Sequence, residues 1–141
     1  RGTGSESTFK GNADSSIPEY SFHWTGRSKY LLLFEAPIDM LSFISLHKKN
    51  WQQHSYAAAC SVSDRVLFQM LKDNPNISEV FLCMDSDEPG QTAAKRISDK
   101  LFTQGINAKI LVPEHKDWNE DLLALNQKES EVEEPCQVLQ L

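Results

Sequence analysis

Apolar residues in this chain come in short unbroken runs separated by amphipathic stretches of about three turns. KYLLLFE (29–35) is continuous and closes on an acid, the pattern of a strand covered on both faces. IDMLSFISLHKKN (38–50) places Ile38, Leu41 and Ile44 or Ser45 at helical spacing, with Lys48 and Lys49 suited to a helix C-terminus. SYAAAC (55–60) predicts a weaker strand, SDRVLFQMLKDN (63–74) a helix opened by a Ser or Asp cap, and EVFLCM (79–84) the strongest strand. GQTAAKRISDKLFTQG (90–105) reads as an Ala-rich amphipathic helix stopped at Gly105. NAKILVP (107–113) is a fourth strand and WNEDLLALNQ (118–127) a last helix, while YSFHWTG (20–26) suits a short or edge strand. This alternation predicts right-handed β-α-β units: an α/β fold with a mostly parallel sheet of about four strands and helices on both faces.

Composition changes that picture little. At 141 residues, 40% hydrophobic and 24% charged, the chain suits one ordinary globular domain. Residues 1–28 are rich in Gly, Ser, Asn and Asp and are expected to be irregular, the end of an upstream region of a longer chain that here opens on Arg1. The domain proper is expected over 29–126. Residues 127–141, which carry half of the net charge of −6, are expected to form an acidic mobile tail or linker. No apolar run approaches the roughly 18 residues of a membrane span, and the N-terminus lacks a signal-peptide core, so a cytoplasmic protein with no membrane partner is expected. Cys60, Cys83 and Cys136 are odd in number and widely spaced, which suggests neither a disulfide framework nor a zinc site. The acidic balance argues against a strongly basic nucleic-acid coat, yet a divalent ion would supply positive charge locally.

Acids fall where the strands end. Glu35 closes the first strong strand, Asp85 and Asp87 follow the third, and Asp117 follows the fourth. With Pro37 opening the helix, Asp39 falls in its first turn and returns toward the same rim. Ligands of open α/β sheets bind at the carboxyl ends of strands, and carboxylates gathered there repel one another unless a cation joins them. Each acid also has a plainer role: Asp39 beside a helix N-terminus, Asp87 as a cap, Asp117 with Glu120 as a capping-box variant. It is their recurrence at three strand ends that favours a metal.

Other motifs fail on spacing. An EF-hand loop from Asp85 would need an oxygen ligand at Pro89 and an acid at Arg96. No phosphate-binding G-x-x-x-x-G-K-[ST] or dinucleotide G-x-G-x-x-G is present. His23, His47, His54 and His115 are scattered and define no triad.

LLLFEAPIDMLSFISL, a strand ending in Glu with an acid four residues on, resembles the first motif of the Toprim domain. VFLCMDSDEPGQTAAKRI, Asp-x-Asp with a Gly shortly after, resembles its second, and KDWNEDLL is similar to the segment after the last strand in primase-type members. The likeness spans roughly 29–125, and its wording is most similar to primase-like proteins of plasmids and conjugative elements. It implies a Rossmann-like Toprim fold, Glu35 assisting proton transfer or joining the metal sphere, Asp85 and Asp87 as Mg²⁺ ligands (Mn²⁺ substituting), and Asp39 and Asp117 as supporting acids, with Asp117 reaching a metal. Many members carry a Gly after the second strand, where this chain has Cys60 and Ser61.

The chemistry then expected is nucleotidyl or phosphoryl transfer on nucleic acid, primase-like priming on single-stranded DNA from nucleotides. Lys95, Arg96 and Lys116 are candidates to hold backbone phosphates. An upstream zinc-binding region and a helicase or relaxase are expected partners. Rival readings are nuclease or topoisomerase-like cleavage, a phosphatase using Asp85 as nucleophile and Asp87 as acid, and a non-catalytic binding module.

Overall fold

The computed structural model of the chain describes residues 2–3, 10–11, 17–60 and 63–138. Much of the irregular segment expected over 1–28 lies outside the described residues, as do Ser61 and the last three residues of the expected tail. Strands β1 (Gly2–Thr3) and β2 (Lys10–Gly11) pair antiparallel with each other. The main sheet is built from β3 (His23–Trp24), β4 (Tyr30–Phe34), β5 (Ser55–Ala58), β6 (Glu79–Leu82) and β7 (Asn107–Ile110). Between and after them run α1 (Pro37–Leu46), α2 (Arg65–Asp73), α3 (Glu88–Thr103) and α4 (Trp118–Val138).

Across the sheet the order is β3-β5-β4-β6-β7. The four strands β5, β4, β6 and β7 are parallel, as their apolar runs predict, and β3 adds an antiparallel edge beside β5. β4 is central because both of its faces are oily. Leu31 and Leu33 point into one core with Leu67, Ile97 and Leu101 of α2 and α3, while Leu32 and Phe34 point into another with Met40 and Phe43 of α1 and Trp118 of α4. Each fully buried side chain of this size contributes about 1.5–3 kcal/mol through the hydrophobic effect. Two such layers hold the strand ends in place.

Two boundaries differ from expectation. Helix α1 stops at Leu46, where the His47 N–H bonds to the Phe43 and Ile44 carbonyls and Asn50 then turns in the left-handed region at φ 58°. Lys48 and Lys49 therefore lie beyond its end. Helix α4 continues to Val138, past residue 127 where the last helix was expected to end and through most of the stretch expected to be an acidic tail or linker. The reason is local: QKESEVEE contains no glycine, and its Gln, Lys and Glu residues favour helix without needing an apolar face. Gly105 does stop α3, at φ 73°.

Candidate metal centre at the strand ends

β4 and β6 are neighbours, registered with Leu33 opposite Leu82, but their connections part: β4 leads to α1 on one face and β6 to α3 on the other. A crevice opens at such a switch point. Glu35 emerges from β4 into it. The Cys83 N–H continues the pairing onto the Leu33 carbonyl at 2.8 Å, which brings Asp85 alongside Glu35. Glu35, Asp85 and Asp87 each offer a carboxylate oxygen, and these oxygens lie within 4.8 Å of one another.

α3 begins against this group. Asp87 is its N-cap, its Oδ1 accepting from the Gly90 N–H at 2.9 Å, so the capping role and membership of the acid group coexist in one side chain with two oxygens. Gly90 is needed for close approach. A Cβ there would sit 2.4 Å from the Asp85 carbonyl oxygen and 2.9 Å from Glu35 Oε1, so the helix could not enter the crevice with any larger residue.

Electrostatically the site is under tension. Burial, then the charges of Asp85 and Asp87, push the Glu35 carboxyl up to about 7. Burial, then Asp85 and Asp117, push Asp39 up to about 6, and burial with Asp117 and Asp87 raises Asp85. Asp39 is only 4% exposed, and one oxygen of Asp39 and one of Asp85 are buried with no hydrogen-bond partner among the described residues. Buried polar atoms normally find partners. An all-oxygen donor set with orphaned carboxylate oxygens fits a hard divalent cation such as Mg²⁺ or Mn²⁺; Glu35, Asp85 and Asp87 would hold it.

The remaining sequence candidates separate into two groups. Asp39 and Asp117 stand near the acids without joining the three. Asp117 opens α4, its Oδ1 accepting from the Glu120 N–H at 2.8 Å, while Glu120 accepts from the Lys116 N–H at 3.1 Å. Lys116 is at the rim, where its charge opposes the upward shifts of Asp39 and Asp85. The Lys116 carbonyl also accepts from the Ser86 N–H at 2.8 Å, clipping the loop after β7 to the loop before α3. Lys95 and Arg96, by contrast, lie about 12 Å along α3 from its start at 1.5 Å per residue. Arg96, with Lys100, pairs with Asp64.

Two features escaped the sequence reading, and a third gives form to the departure noted after the second strand. Trp118 is buried, donates its indole N–H to the Cys83 carbonyl at 3.0 Å and meets Phe43 edge-on, so it pins the start of α4 to β6. The Asn119 backbone helps to hold the Asp39 carboxylate. Cys60 occupies the left-handed region at φ 52°, where a glycine would be at ease, and its sulfur accepts from Ser21 Oγ at 3.1 Å. The Asp-Trp-Asn order just past a strand was the available signal for the first two.

The model of the Toprim-like family matches residues 32–122, which contain every one of these acids. Several solved chains share the fold, among them two from one phage. The primase fragment of the bacteriophage T7 primase-helicase protein matches with a TM-score of 0.54 and 22% identity over 79% of this chain and 44% of that one. Primase domains of the same phage, seen with its lagging-strand DNA polymerase, an RNA/DNA hybrid and dTTP, match with a TM-score of 0.53 and 22% identity over 79% and 54%. The chain thus spans about half the length of the solved chains it matches. No curated protein matches the sequence.

Proposed function

Since the chain belongs to the Toprim-like family, we propose that it is the catalytic part of a Mg²⁺-dependent enzyme of nucleic acids, joining nucleotides in the manner of a primase. The observation that carries this reading is the convergence of Glu35, Asp85 and Asp87 at the switch point, with buried carboxylate oxygens left over. When bound, a divalent cation supplies neutralisation of the negative charge that builds on the attacked phosphate. The chain's own residues do the rest. Asp85 and Asp87 fix the position of that charge, Asp87 being immobilised by its bond to the Gly90 N–H. Glu35, held near neutrality by burial and by its acidic neighbours, takes or returns a proton at a carboxylate oxygen. Lys116 faces the same rim and offers an ammonium to a backbone phosphate. Lys95 stands farther along α3 and Arg96 is engaged with Asp64, so any contact of theirs is with strand beyond the reacting phosphate.

The natural partners under this reading are single-stranded DNA and nucleotides. A zinc-binding region and a helicase or relaxase of a mobile element would act with it in the cytoplasm; among the described residues no helix is long and apolar enough to cross a membrane. Strand cleavage uses the same acids, but Tyr30 and Tyr56 line a cavity on the other half of the sheet, far from a nucleophile's place at the rim. The test is calorimetric titration with Mg²⁺ and Mn²⁺ of the chain and of a D85N/D87N variant, with nucleotide incorporation on single-stranded DNA measured beside it. Metal binding and incorporation should both vanish in the variant while circular dichroism is unchanged. Metal binding retained by the variant sinks the site. Binding without incorporation, but with nicking of DNA, would replace priming by cleavage.

A further inference from the structure

Away from the acids, the face of the sheet under α1 and α4 is open. Because α1 is only 10 residues long, the amino-terminal half of β4 and β6 is left uncovered, and a cavity of about 350 Å³ lies there. Its walls are aromatic: Tyr30 and Phe81 adjoin at 5.7 Å between ring centres, and Phe43 meets His47 at 4.4 Å. Its charge runs against that of the chain. Among the described residues Lys49 and Lys109 line it outside any ion pair, Lys109 standing 5.8 Å over the Phe81 ring, and the one lining acid, Glu79, is paired with Lys29 at 3.0 Å. Tyr56 lines it too and is 2% exposed.

Flat rings for stacking, two ammonium groups outside any ion pair and a tyrosine hydroxyl ask for a planar ring carrying a negative charge. The volume is at the small end for ligand sites and suits one nucleotide rather than a dinucleotide cofactor. We infer that this cavity binds a single nucleoside monophosphate, its base against Tyr30 and Phe81, its phosphate on Lys49 and Lys109, and the Tyr56 hydroxyl bonded to its polar edge. The inference is independent of the metal centre, which stands at the other end of the same strands.

Calorimetry of the whole chain in chelator, with AMP and dTMP as probes and the matching nucleosides as controls, tests it. Expected are binding of the monophosphates, nucleosides weaker by about tenfold or more, and a similar loss in a K49A/K109A variant. Tyr56→Phe, which keeps the ring and the fold, should weaken binding a few-fold. D85N/D87N should bind as the unaltered chain does. Absence of heat at millimolar nucleotide, or binding that survives K49A/K109A, would overturn the proposal. Loss in D85N/D87N would also overturn it by placing the nucleotide at the acids. Competition of a 5′-phosphorylated oligonucleotide with AMP would identify the ligand as a strand end, and failure to compete as the free nucleotide.

Discussion

The two ends of β4 and β6 carry opposite electrostatics on one scaffold. At the amino ends Lys29 and Glu79 meet at 3.0 Å, opposite charges at the surface. At the carboxyl ends Glu35 and Asp85 meet with Asp87 beside them, like charges partly withdrawn from water, and two carboxylate oxygens nearby have no partner among the described residues. Strand pairing is the same at both ends, so the fold does not require the acidic arrangement. Folding alone would favour paired or apolar residues there. Same-sign groups kept at the one end where connections diverge indicate a function that the fold accommodates at a cost in stability.

The sharpest way to break this contrast is Gly90→Ala. Its Cβ would press on the Asp85 carbonyl and Glu35 Oε1, and overpacking of this kind costs about 1–3 kcal/mol. Denaturant melts should show that loss together with weaker Mn²⁺ binding; an unaltered stability would mean that α3 can retreat from the crevice.

Acidity gives the next effect. Glu35 and Asp39 have folded-state values of about 7 and about 6, above their ordinary 4.5 and 3.8. Between those limits the folded chain keeps protons that the unfolded chain has released, so stability is fullest below the ordinary values and is lost as pH rises toward 7. After discounting for solvent screening the loss is on the order of 1 kcal/mol. The metal-free melting temperature should fall by a few degrees over that range. Glu35→Gln should flatten the fall, and Mn²⁺ should restore stability more at neutral than at acidic pH. A profile that rises instead would remove the tension on which the comparison rests.

Cys60→Gly should be smaller and stabilising, by about 0.5 kcal/mol, because relief of the left-handed strain exceeds the entropy that glycine adds to the unfolded chain. Chemical denaturation would register it, and a destabilised variant would show that the Ser21 contact matters more. Smallest of all, Lys29→Ala should leave the melting temperature within experimental error, since exposed ion pairs contribute little. A large drop there would erase the distinction between the two ends.

Most of this architecture was legible because periodicity reports burial directly. The unbroken run of β4 follows from cores on both faces, and the positions of Glu35, Asp85 and Asp87 follow from strands that end where their apolar runs end. What stayed hidden depended on tertiary distance. Nothing in the sequence separates Asp117 as a cap from Asp117 as a ligand, and the structure shows it capping α4 with the three closest acids elsewhere. Lys95, Arg96 and Lys116 look alike as basic residues near acids, yet only Lys116 lies at the rim. Departures at element ends, such as the early stop of α1 and the long α4, arose from local turn and propensity effects that carry no apolar signature.

The register of Leu33 with Leu82 has a consequence for assembly. A slip of one residue between β4 and β6 would turn every side chain of one strand to the wrong layer and carry Glu35 away from Asp85 by a strand step of about 3.3 Å. No partly aligned sheet can therefore display the complete acid group. An ion held there as proposed would be a census-taker of correctly threaded molecules: the stoichiometry of Mn²⁺ uptake in a refolding mixture would count the chains that have reached native alignment, without reference to turnover.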